Sequence, residues 1–221
     1  MSGRESFLNR VREAVQQGGH AGKAPPLPER GNVGYQGHGG DPVARFGEML
    51  AAAGGRMSHV ADRQEAIAVL LAEIDRLENR RILLGAEPIL SELGLSAELA
   101  KRGCELVLAP DLLQDGTRDR FFAATCAVTG VDYLIAETGT IIMLARPQQP
   151  RTASLLPPVH IAIAEKSQIL PDLFDLYDRL DPQNMPSCLT HITGPSKTGD
   201  IELKLVTGVH GPGDLLVILI E

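Results

Sequence analysis

Apolar positions change their spacing from segment to segment, and these changes divide the chain into elements. Ser2 with Glu5 three residues on forms a capping box, and Phe7, Leu8, Val11 and Val15 then share one helical face, which predicts a first helix. Asp41 followed by Pro42 is an N-cap and first-turn pair that opens a second helix ending near Gly54. From there strand and helix patterns alternate. MSHVA at 57–61 reads as a strand, and Ile67, Leu70, Leu71, Ile74 and Leu77 repeat at helical spacing. RILLG at 81–85 and ELVLA at 105–109 are strands on either side of a broken helical pattern from Ser91 to Arg102, and a helix is expected around Arg118 to Ala124. VDYLIAE and TIIMLA, joined at Thr138-Gly139, predict two strands with a tight turn. VHIAIA at 159–164, a helix face of Leu170, Leu173, Phe174, Tyr177 and Leu180, LTHIT at 189–193 and DLLVILI at 214–220 complete the series.

Several strands are continuously apolar instead of alternating, which requires cover on both sheet faces. The expected fold class is therefore α/β: three layers around a mostly parallel sheet, with VDYLIAE and TIIMLA as an antiparallel departure. Between Gly18 and Gly40 the chain holds eight of its 23 glycines together with Pro25, Pro26 and Pro28. No regular element tolerates that composition well, so residues 1–40 read as a helix and a Gly/Pro-rich arm, and 41–221 as one domain.

Composition then removes whole classes of function. A formal net charge of −7 disfavours a general nucleic-acid binder, and an aromatic content of 4 % with no Trp disfavours a base-stacking platform. Cys104, Cys126 and Cys188 stand far apart without a C-x-x-C, and the histidines show no ligand spacing, so no metal or cluster site is expected in this chain. The N-terminus carries charges where a signal peptide needs an apolar stretch, and no run approaches a membrane span; the expectation is a cytoplasmic protein that binds no membrane.

Three clusters carry candidate chemistry at strand ends, where open α/β sheets place ligands. The first is A-E-T-G-T, Ala136 to Thr140. Glu137 there could act as nucleophile, general base or hydroxyl acceptor, with Thr138, Gly139 and Thr140 beside it; alternatively, the threonines simply satisfy a hairpin. The second is T-G-P-S-K-T-G-D-I-E, Thr193 to Glu202. Gly194, Ser196, Lys197, Thr198 and Asp200 suit an anion at the start of a short helix, or else Ser196 is an N-cap followed by dipole-matched acids. It is not a P-loop, because the first glycine of that motif is missing. The third is G-V-H-G-P-G, Gly208 to Gly213, with His210 and Gly211 on a backbone that can approach a ligand closely. It precedes a strand, so it is no dinucleotide fingerprint. Arg146 and Arg151 flank a loop and could grip a carboxylate or phosphate, or lie solvated at the surface.

In this order and spacing the three clusters resemble the lactate utilization protein C family, also called LutC or YkgG, whose members carry a LUD domain. Gly199 stands where that family usually has alanine. The resemblance is densest over residues 130–221. It implies a NagB/RpiA/CoA-transferase-like α/β fold and a role in oxidising L-lactate to pyruvate beside two partners that carry iron–sulfur clusters. Any cofactor would then reside on the partners, and this chain would hold a small carboxylate, phosphate-bearing or nucleotide-like ligand, with Glu137 and His210 as catalytic candidates. Two further readings stand open: an independent CoA- or phosphosugar-transforming enzyme of the same fold, and a regulatory or scaffold subunit that docks on a partner or its own copy as a homo-oligomer.

Overall fold

The computed structural model describes residues 3–18, 29, 37–113, 118–181, 183–199 and 206–221. It divides into two units, Met1–Tyr35 and Gln36–Glu221. In the first, helix α1 spans Gly3–Gly18, and its Phe7, Val11 and Val15 are exposed. Most of the Gly/Pro-rich arm lies outside the described residues.

The second unit begins with α2 (Pro42–Ala52), capped as its sequence requires: the Asp41 carboxylate accepts from the backbone N–H of Val43 and Ala44. Then follow β1 (Arg56–Val60), α3 (Arg63–Asp75) and β2 (Arg81–Leu84). The broken helical pattern is two short helices, α4 (Pro88–Glu92) and α5 (Leu95–Lys101), divided at Leu93–Gly94. Next come β3 (Glu105–Leu108), α6 (Arg118–Phe122), β4 (Cys126–Gly130), β5 (Tyr133–Ile135) and β6 (Thr140–Leu144). The chain continues through α7 (Thr152–Leu155), β7 (Val159–Glu165), β8 (Ile169–Leu170), α8 (Leu173–Arg179) and β9 (Leu189–Ile192). It ends with β10 (Lys197–Thr198), β11 (Val206–Thr207) and β12 (Asp214–Ile220).

Six strands form a parallel sheet in the order β1-β12-β7-β4-β2-β3. The chain steps outward from β2 to β3 and then returns to place β4 on the other side of β2. That reversal makes the carboxyl ends of β2 and β4 the topological switch point of the sheet. One face is covered by α3, α4 and α5 through Leu70, Ile74, Leu90, Leu95 and Leu99. The opposite face is covered differently from the simple helical layer expected. Phe46 and Leu50 of α2 share it with Leu134 and Ile141 of a second sheet, ordered β8-β5-β6-β9. Phe121 of α6 and Ala153 of α7 cover the region near β2 and β3. The predicted antiparallel pair is the heart of that second sheet, and α8 covers its outer side through Leu176.

Strand β4 carries no strong sequence signal, yet all five of its residues are buried in the middle of the sheet. Small side chains there make room for the layers above and below. The reverse error occurs after Thr193, where a short helix is expected. Lys197–Thr198 instead pairs antiparallel with Val206–Thr207.

Two glycines set how closely α2 packs. Gly139 has φ +64 and its absent Cβ would overlap the Leu50 backbone nitrogen; a Cβ on Gly194, at φ +81, would lie 2.6 Å from the Ala53 carbonyl oxygen. Any L side chain at either place meets helix backbone, which cannot swing aside. Gly139→Ala should therefore lower the free energy of unfolding by about 2–4 kcal/mol in chemical denaturation, with α2 displaced. A loss below about 0.5 kcal/mol would show that the approach is looser than described.

Candidate functional site

The first two motif segments meet at the last turn of α2, and the third joins them through Ser196. Thr138 and Thr140 share a hydrogen bond between their hydroxyls (2.7 Å), and Thr140 shares another with Thr193 (2.8 Å). Thr193 leads through Gly194 to Ser196, whose N–H donates to Pro212 O (2.8 Å) while its own carbonyl accepts from Gly208 N–H (2.9 Å). Gly211 packs against Ser196, since a Cβ there would stand 3.2 Å from the Ser196 Cβ. Lys197 donates from Nζ to Ala53 O at 2.6 Å, satisfying a carbonyl at the C-terminal end of α2 where a cation is also favoured by the helix dipole. This position ties the ammonium to the end of α2. Thr198 belongs to the β10–β11 hairpin. Asp200 lies outside the described residues.

A cleft of about 200 Å³ opens beside this unit, lined by Ser154, Thr193, Ser196, His160, His191 and His210, with Gly194 and Gly211 in its wall. It sits at the amino ends of β7 and β12, not at the carboxyl ends where open α/β sheets usually bind ligands. Glu137 is not among its lining residues. That residue follows β5 in the turn, where its N–H donates to Pro171 O (3.0 Å).

His160, which sequence spacing gave no reason to select, forms the buried floor of the cleft. Its Nε2 shares a 2.8 Å hydrogen bond with the Thr129 hydroxyl, and its Nδ1 has no protein partner. Full burial pushes the imidazole down to about 4, so it is neutral near pH 7. Its strand pattern alone could not find it, because VHIAIA reads as a plain buried strand.

The second cleft, about 800 Å³, lies at the switch point and receives none of the three motifs. Its walls include Arg63, Glu87, Glu92, Asp132, Arg146 and Glu165. Arg146 is paired with Asp132 at 2.6 Å and donates to Gln149 Oε1 at 2.7 Å, so this flanking arginine fixes its own turn. Arg151 is exposed and reaches the Cys188 sulfur at 3.7 Å. Glu87 is 92 % buried by surface area, being 8 % exposed, and desolvation raises its carboxyl above the ordinary range despite N–H groups of Glu87 and Gly130 that favour the charged form. The clue in the sequence was G-A-E-P directly after a strand, but only the topology reveals which strand ends adjoin.

The three cysteines are free, and burial pushes the Cys126 thiol up to about 12, the condition of an inert core group. Among the described residues, no group of three or more His, Cys, Asp or Glu is arranged to hold a metal ion, and no helix is long and apolar enough to cross a membrane.

Comparison with known proteins gives a consistent result. A family model described as LUD domain matches residues 43–220. Lactate utilization protein C from Halalkalibacterium halodurans is 31 % identical over 167 residues, covering 67 % of this chain and 71 % of that protein. The Bacillus subtilis protein of the same name is 31 % identical over 161 residues, covering 69 % and 67 %. That from Anoxybacillus flavithermus is 41 % identical over 106 residues, covering 47 % of this chain; there the chain spans about half the relative's length, 48 %. A solved structure of a DUF162 family protein from Deinococcus radiodurans shares the fold, with a TM-score of 0.59 at 22 % identity, covering 88 % of this chain and 100 % of that one.

Two of the buried ionisable groups, His160 and Glu87, make stability depend on pH. His160 has a folded value below its unfolded one, so the unfolded chain binds the extra proton between about pH 4 and 6.5. Stability should rise with pH through that window by up to about 3 kcal/mol, and His160→Asn should flatten the rise. Glu87 behaves oppositely. Its raised folded value means stability is lost as pH climbs from the ordinary carboxylate range through the folded value. Urea denaturation of Glu87→Gln should thus show greater stability than wild type at pH 7 and a diminishing gain toward pH 4.

Proposed function

We propose, because this chain belongs to the LUD domain family, that it serves in lactate utilization, the role in the names of its lactate utilization protein C relatives. In this reading it is a component that acts with iron–sulfur partner proteins and holds a small carboxylate, L-lactate or pyruvate, in the cleft at the amino ends of β7 and β12. The observation that carries the reading is the meeting of the second and third motifs at one opening. Ser196, Thr193 and His210 there offer hydrogen-bond donors around a space of about 200 Å³, small enough to favour a compact acid.

Oxidation of lactate to pyruvate removes two electrons and two protons. Three scattered cysteines cannot supply the four thiolates that usually hold an iron–sulfur cluster, so the electrons and the hydrogen leaving lactate C2 pass to redox groups of the partners. This chain's residues bind and orient the acid, and His210 is the group suited to receive the hydroxyl proton. Glu137, outside the cleft lining, serves in the turn that seats α2 and not at the reacting atoms. A CoA- or phosphosugar-transforming activity has less support, since Lys197 donates to Ala53 O and, among the described residues, Lys197–Thr198 forms a strand instead of opening a helix.

The test is reconstitution of the full chain with iron–sulfur proteins from the same source. The expected result is association, and lactate-dependent dye reduction that requires this chain and falls about tenfold or more with His210→Ala. Failure to associate, or dye reduction that proceeds equally without the chain, would overturn the reading.

A further inference from the structure

The crevice at the carboxyl ends of β2 and β4 is built around Glu87. A Cβ on Gly85 would overlap its Oε2, and one on Gly130 would stand 2.6 Å from its Cβ. Each strand thus ends in a glycine where the carboxyl side chain lies. Residue exposure is 8 %, and Oε2 has no protein partner. A buried oxygen without a partner costs on the order of 1–3 kcal/mol, a penalty that a bound donor would remove.

The surroundings narrow what that donor is. Among the described residues lining the crevice, four acids face two arginines. Arg63 is paired with Glu92 (2.7 Å) and Glu165 (3.2 Å), and Arg146 with Asp132 (2.6 Å). Asp132 is also occupied by the Leu144 N–H, at 2.7 Å. An anion would find acid excess and guanidinium groups already engaged. A hydroxyl fits Glu87 in either protonation state, because it donates to a carboxylate and accepts from a carboxylic acid. The rim acids Glu92 and Glu165 can accept from further hydroxyls. Pro88, Ile89, Val131 and Pro147 add an apolar wall suited to the face of a sugar ring or base.

We propose that this crevice is a binding site for an uncharged, polyhydroxylated ligand, a sugar or the ribose of a nucleoside, with one ligand hydroxyl completing Glu87. It is separate from the carboxylate cleft at the other edge of the sheet, and its failure would leave the lactate reading untouched.

Calorimetric titration of the full chain with adenosine and D-ribose provides the test, with 2′,3′-dideoxyadenosine, AMP and L-lactate as comparators. Adenosine or D-ribose should bind with Kd below about 1 mM, and Glu87→Met should weaken binding about tenfold or more while leaving the circular dichroism spectrum unchanged. Methionine keeps the length of the side chain and offers the ligand hydroxyl neither a strong donor nor a strong acceptor. Binding of adenosine alone assigns a nucleoside; binding of both assigns the sugar as the recognised part. A nucleoside site should also discriminate about tenfold against the dideoxy compound, a comparison made on wild-type protein. The proposal is overturned if neither adenosine nor D-ribose binds at about 5 mM, if Glu87→Met binds unchanged, or if AMP binds more tightly than adenosine.

Discussion

The seating of the last turn of α2 on Gly139 and Gly194 governs much of the second unit. Helix backbone meets turn backbone at both contacts, so neither side chain rotation nor repacking can relieve a Cβ there. Phe46 and Leu50 of the same helix are fully buried against the parallel sheet. The helix is therefore pinned on two sides: its apolar face to the sheet and its end to the motif turns. Lys197 closes the end through Ala53 O, while the Thr138–Thr140–Thr193 hydroxyl chain links the two glycine-bearing segments. Residues whose types read as ligand chemistry thus also perform the packing that gives the smaller cleft its shape.

The sheet consequently has two chemically different edges. At the amino ends of β7 and β12, hydroxyls and imidazoles surround a small opening above a neutral His160. The carboxyl ends of β2 and β4 instead hold an acidic crevice around a buried carboxyl with an unpaired oxygen. One parallel sheet separates them, so each can be altered without reshaping the other's lining.

Much of the fold was legible in the sequence because its signals were local. Continuous apolar runs located β2, β3 and β12, and short apolar-rich segments β1 and β7, to within about a residue, and Asp41-Pro42 marked the start of α2. Cys126–Gly130 escaped because a central strand made of small residues has neither a long apolar run nor alternation. The strand at Lys197–Thr198, where a helix start is expected, has a different cause. Ser196 satisfies its backbone groups with Pro212 and Gly208, distant partners in sequence that compete with helix formation. The same limitation applies to the sites: A-E-T-G-T, Thr193 to Ser196 and His210 were visible as motifs, but the packing of the first two on α2 and of the third on Ser196 is long-range. Glu87 and His160 were not selected, since what distinguishes them is burial with an unpaired atom, a property of the assembled sheet.

Two-dimensional NMR of the labelled full chain, titrated separately with L-lactate and adenosine, tests the division between the two edges most directly. The account predicts lactate-induced shifts centred on the amides of Thr193–Ser196 and His210–Gly213, and adenosine-induced shifts centred on Gly85–Glu87 and Gly130–Asp132. Shifts from both ligands at the same edge, or lactate shifts centred on Glu87, would contradict it.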